Sequence, residues 1–171
     1  MKYKFILVFI FSILALGYIV PEPRVIPVLE ASQQDWHKES FWFEPWGVSG
    51  THKGIDIFGD MGKPVVASSH LLILYLGQLD MGGNVIVGLG PKWRIHYFAH
   101  LQSATVEIGR FVKAGDVIGS VGDSGNAKGK PPHLHFSIIS LVPLVWMIDS
   151  DSQGYKKAFY LNPNNYLLNK N

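Results

Sequence analysis

The 171 residues include no cysteine, are 47% apolar and 16% charged, and sum to a formal net charge of +2. This excludes disulfides and cysteine-held zinc, so any metal must sit on histidine and carboxylate, and it leaves no basic stripe for nucleic acid. The length suits one globular domain with its own core, and 18 glycines and 10 prolines predict many turns and short strands.

Lys2 and Lys4 precede an apolar run over residues 5–20, closed by Pro21, Glu22 and Pro23. Positive flank, apolar stretch and polar stop are the parts of an export signal. As a helix the 16-residue run reaches about 24 Å, slightly short of a bilayer span. Ala15-Leu16-Gly17 offers a small-x-small site for cleavage after Gly17, and retention as an uncleaved membrane anchor is the other outcome. Either fate puts the remainder outside the cytoplasm, periplasmic or otherwise in the cell envelope; the alternative is a buried core helix. Residues 1–20 are thus a signal peptide or anchor, 21–46 a linker or N-terminal extension, and 47–171 the functional domain.

Phe41, Trp42, Phe43 and Trp46 form an aromatic cluster suited to covering a core edge or lining a groove. Over 51–139, short apolar runs at 64–67, 71–76, 84–87, 94–98, 117–121 and 133–139 alternate with Gly, Asp, Ser and Asn turns. That rhythm predicts an all-β, mainly antiparallel domain. No amphipathic helix and no repeat stands out in this region. Residues 141–148, LVPLVWMI, are too short to span a bilayer and are expected as a strand or loop packing on the core. Residues 149–157 read as an exposed loop and 161–168 as a terminal docking turn.

Chemistry concentrates in three histidine groups. In His133-Leu134-His135, residues i and i+2 of a strand share a face. Leu134 then turns to the core with Phe136 and Ile138, and both imidazoles face one cleft. They are either two metal ligands, or one ligand beside a group that handles protons. His52 and Asp56 would lie about 13 Å apart on an ideal strand. Gly54 between them bends cheaply, so His52 is predicted just before a strand and Asp56 on it. His52, Asp56 and one member of the H-x-H pair make a three-ligand set whose open fourth position is the catalytic zinc arrangement. No H-E-x-x-H helix supplies a base, which leaves the spare histidines. Residues 94–101 read as a strand with His96, Phe98 and His100 on one face, so that His100 reaches over the metal. His96 is assigned a structural or peripheral role, and His37 and His70 the solvated surface.

Five segments follow in order: HKGID at 52–56, GKPVVAS at 62–68, FAHL at 98–101, VKAGDVIGSVGDSG at 112–125 and PPHLHFSI at 131–138, with LNPNNYL at 161–167 as a closing piece. In these, residues from about 47 to 139 resemble the M23 family of zinc metallopeptidases, the lysostaphin and LytM-like peptidoglycan endopeptidases. The resemblance implies an antiparallel β domain akin to a lipoyl/biotinyl-hybrid barrel, with a narrow groove, following the N-terminal hydrophobic helix. It implies Zn2+ on His52, Asp56 and His135, with His100 and His133 unligated beside it, moving protons and stabilising the transition state; which of the two is the base stays open. It further implies an endopeptidase cutting peptide cross-links or stems of peptidoglycan, working as a monomer, with membrane contact through the N-terminal segment if that is uncleaved. Residues 88–93 lack the histidine and Gly-Tyr that many members carry, and 141–160 have no counterpart, so substrate preference is not implied. The alternative is a non-catalytic envelope protein on the same fold that binds peptidoglycan or activates another wall hydrolase; the complete His/Asp set argues against it. A biotinyl- or lipoyl-like carrier, suggested by 112–122, needs a lysine at a hairpin tip, and the sequence around Lys128 and Lys130 fits that poorly.

Overall fold

The computed structural model describes residues 2–168; Met1 and residues 169–171, the outer ends of the expected signal segment and functional domain, lie outside it. A helix α1 (Lys2–Ile19) leads into ten short strands and a closing helix α2 (Pro163–Leu168). The strands are β1 (Ile55–Phe58), β2 (Pro64–Val66), β3 (Leu71–Leu79), β4 (Gly83–Gly90), β5 (Arg94–Leu101), β6 (Ser103–Ala104), β7 (Phe111–Val112), β8 (Val117–Ser120), β9 (His133–Ser140) and β10 (Tyr160–Leu161). Every pairing is antiparallel. One sheet runs β1-β9-β5-β4-β3-β7, with β10 on the far end of β9, and a second runs β2-β8-β6. The mainly antiparallel architecture expected from the apolar rhythm is therefore present.

Alternation along β9 explains the central pairing. Leu134, Phe136 and Ile138 are fully buried, and they meet Ile55, Ile57, Phe98, Ile86, Leu71 and Ile73 of the same sheet and Val65 and Ile118 of the other. Each such side chain contributes about 1.5–3 kcal/mol by leaving water. α2 closes the core with Tyr166 and Leu167, in agreement with the expected docking turn.

Residues 21–46, read as a linker or N-terminal extension, carry stretches that pack on the domain. Val66 N donates to Pro27 O (3.0 Å) and Leu29 N to Pro64 O (3.0 Å), pairing the open edge of β2, and Val28 and Trp36 enter the core. An unpaired strand edge needs such partners. Residues 141–148, expected on the core, instead turn outward through a 3-10 turn (Val145–Met147). β10 and α2 already cover the apolar surface beyond β9, leaving this run nothing to bury against. α1 is apolar and mostly exposed, and among the described residues no helix is long and apolar enough to cross a membrane.

His96 is structural, as expected. It is fully buried on β5, with Nδ1 2.7 Å from Ser68 Oγ and its ring against Phe136 and Tyr166. Burial, helped by the charge of Arg94, pushes its pKa from an ordinary 6.5 down to about 3. The unfolded chain therefore binds this proton where the folded one refuses it. The contribution of His96 to stability is complete above pH 6.5 and is lost as the pH falls toward 3. Urea unfolding of His96→Gln across that window should decline less steeply than that of the parent; parallel declines would remove His96 as the cause.

Candidate metal centre

β1 and β9 pair so that Asp56 stands opposite His135. His52 sits three residues before β1, as expected, and turns back onto the same point. His52 Nε2, Asp56 Oδ1 and His135 Nδ1 lie 2.8–3.1 Å from one another. Gly54 allows this by lack of bulk: a Cβ there would meet Phe136 O at 2.5 Å and His135 Cε1 at 2.9 Å. The left-handed backbone that favours glycine is not involved at this position.

The remaining ring nitrogens fix the protons. His52 Nδ1 lies 2.9 Å from Ser40 O, a carbonyl that can only accept, so Nδ1 carries the hydrogen and Nε2 the lone pair. Ser137 Oγ donates to Lys53 O (2.8 Å) and so accepts from His135 Nε2 (3.0 Å), which leaves the His135 lone pair on Nδ1. With the outer nitrogens so committed, the two inner ring nitrogens and a carboxylate oxygen face one point. A divalent cation satisfies that arrangement, and outer hydrogen bonds of this kind orient metal-binding histidines. The three residues form a group able to hold a metal ion.

His100 and His133 flank this point. Their ring centroids are 5.0 Å apart, and His100 is 5.9 Å from His135. Each gives its Nδ1 hydrogen to a backbone carbonyl, His100 to Ser124 O (2.9 Å) and His133 to Pro131 O (2.8 Å), so each keeps Nε2 as an acceptor. Burial lowers the His100 pKa to about 4. One detail differs from the sequence reading: His96, Phe98 and His100 do not share a face. Ile86 pairs with Phe98 but Asn84 with Leu101, a bulge that inserts one extra residue, and His100 adopts φ +63°. The bulge turns His100 out of the core and onto the cleft lined by Tyr97 and Ala99. His37 is exposed, as expected, whereas His70 is half-buried and accepts a hydrogen bond from Ala114 N (3.1 Å).

The cleft over the five residues encloses about 730 Å³ and continues past Trp46 and Phe58 into a second hollow of about 590 Å³. Trp46 stacks on His52 at 4.0 Å between centroids and with Phe43 lines the groove, while Trp42 is buried and Phe41 packs against the core. Ser40, Ser124 and Ser137 escaped the sequence reading. Only Ser137 had a signal, since it follows His135 by two residues on the same strand face. Ser137→Ala should lower zinc affinity about 10- to 100-fold with the fold retained, measured by competition with a chromophoric chelator. Gly54→Ala should lose both metal and stability in the same assay and in urea unfolding.

Residues 50–144 match the model of Peptidase family M23. The L-Ala–D-Glu endopeptidase of Bacillus subtilis (strain 168) is 36% identical over 113 residues, covering 61% of this chain and 35% of that protein. Lysostaphin of Staphylococcus simulans is 35% identical over 105 residues, 58% of this chain and 21% of that protein. The murein hydrolase activator NlpD of Escherichia coli (strain K12) is 32% identical over 105 residues, 60% of this chain and 27% of that protein. The chain thus spans only 21–35% of the length of these relatives. The crystallised catalytic domain of Staphylococcus simulans lysostaphin superposes with a TM-score of 0.57 at 32% identity, covering 72% of this chain and 84% of that one. Peptidases of this family are zinc-dependent, and two imidazole nitrogens with one carboxylate oxygen suit that metal. With more than half of its length matched, the chain belongs to peptidase family M23.

Proposed function

We propose that this chain is a zinc endopeptidase that hydrolyses peptide cross-links or stems of peptidoglycan in the cell envelope, with His52, Asp56 and His135 holding the metal and His100 and His133 moving protons. One observation carries the reading. Three acceptors converge on a point at the floor of a peptide-sized cleft, and two further imidazoles with acceptor nitrogens stand beside them. A wall-binding activator needs neither the convergence nor the second pair.

Zinc, when bound, supplies a Lewis acid for the scissile carbonyl and makes a water acidic enough to attack near neutral pH. The chain supplies the rest. His100 and His133 have their Nδ1 hydrogens committed to carbonyls, so Nε2 of either ring can accept a proton and return it to the leaving amine. Once protonated, that nitrogen becomes a donor for the developing oxyanion. Trp46 and Phe58 bracket the groove in which an extended peptide would lie. The basic flank and apolar run of α1 support export, with or without retention at the membrane, and the protein works as a monomer.

Mass spectrometry of purified peptidoglycan treated with the zinc-loaded protein, against a chelated control, should record loss of cross-linked or stem peptides and gain of their fragments. His100→Ala and His133→Ala should each lose about 100-fold or more in rate while keeping zinc. His135→Ala and Asp56→Ala should lose zinc and activity together. Parent-level turnover in His133→Ala would refute its role, and unchanged peptidoglycan with zinc bound would refute the substrate.

A further inference from the structure

α1 is apolar and open apart from one contact near its end: Phe5, Leu7, Phe9, Phe11 and Leu16 are all more than half exposed. Such a helix belongs in lipid or in a core, and no core surrounds it. Its direction is fixed, because the indole of Trp93, just ahead of β5, donates to Leu14 O (3.0 Å). Gly17 permits that contact, since a Cβ there would lie 2.2 Å from Trp93 Nε1. Three residues past the helix the carboxylate of Glu22, 3% exposed, is held by Arg94 (2.6 and 2.7 Å), Lys92 (3.3 Å) and Arg24 (3.4 Å). A buried carboxylate with three cations does not behave as a loose tether.

The same tryptophan touches the outward loop. Trp93 O accepts from Leu141 N (2.9 Å), and the chain then presents Leu141, Val145, Trp146, Met147 and Ile148 to the outside, Trp146 at 74% exposure. The loop is braced from behind by Leu144 N on Ala158 O (2.7 Å) and by Lys157 on Asp149 and Asp151. A contiguous exposed apolar patch marks an interaction surface. Aliphatic side chains with an outermost tryptophan, continuous through Trp93 with an all-apolar helix, have the composition of a membrane interface.

We propose that residues 141–148 are a second membrane contact which, together with α1, seats the domain on a lipid bilayer by the Arg94–Ser140 end of its main sheet. The consequence reaches the metal centre. Arg94 pairs with Ser140 beside the patch, and Ala99 pairs with the ligand-bearing His135 five residues further along. At about 3.3 Å per residue the cleft stands about 17 Å from that end. The substrate is then polymer lying next to the membrane, not wall at a distance.

Two of the five tryptophans, Trp93 and Trp146, lie at this end, while Trp36 and Trp42 are buried and Trp46 stacks on His52. The full chain is reconstituted into phosphatidylethanolamine–phosphatidylglycerol vesicles carrying acyl-brominated lipid, and quenching of tryptophan emission is compared with that of Trp146→Phe. The proposal expects the quenched emission to drop by about half in the variant, with zinc content and cleavage of a short soluble peptide unchanged. Equal quenching in parent and variant overturns it. So does a concentration-dependent dimer, free of lipid, that Val145→Asp dissolves, because the patch would then belong to a second copy. Quenching needs no catalytic activity, so its outcome is separate from that of the peptidase reading.

Discussion

Asp56 and His135 face each other across the β1–β9 pair, and the geometry of the candidate metal centre descends from that register. Side chains directly opposite on antiparallel strands stand about 5 Å apart, close enough for one ion to be shared. A slip of one residue would turn the whole of β9 over, sending His133 and His135 into the core and Leu134, Phe136 and Ile138 into water. The burial of those three side chains forbids the slip. The apolar face of β9 therefore stabilises the fold and sets the metal-binding geometry through the same strand.

Around that register, hydrogen bonds from outside the ligand set decide what each histidine can do. Ser40 O, Ser124 O and Pro131 O are carbonyls that neither gain nor lose a proton near neutral pH, so the rings they hold keep one tautomer. Ser137 does the same for His135 by spending its own hydrogen on Lys53 O. His52 consequently turns out its Nε2 and His135 its Nδ1. Four histidines with one side-chain chemistry divide into two that converge with a carboxylate and two that stand beside it.

β5 repeats that division along its length. His96 and His100 are four residues apart, yet one is sealed against Phe136 and Tyr166 and the other lines the cleft. The bulge between Phe98 and Leu101 makes the difference, and His100 accepts a left-handed backbone to provide it. At the opposite end of the strand Arg94 holds Glu22, so β5 links the cleft to the segment that carries α1.

Much of this was legible in the residues alone. Period-2 alternation announced the strands, and H-x-H on one of them put two imidazoles on one face whatever the fold around it. The expectation that His52 would precede a strand bearing Asp56 followed from Gly54, where the chain does bend, and the glycine also permits a close approach to β9 that the sequence did not announce. Contacts between distant segments were not legible. Ser40 and Ser124 act through backbone carbonyls, which every residue has, so their identity carries no signal. The bulge at His100 arises from a mismatch between two strands and is invisible in either one. Residues 141–148 had the composition of a core strand, and only β10 and α2, arriving later in the chain, took the surface they would have covered. Local sequence determined which side chains are available and on which face. Tertiary structure decided which of them meet, because that depends on register and on competition for one core.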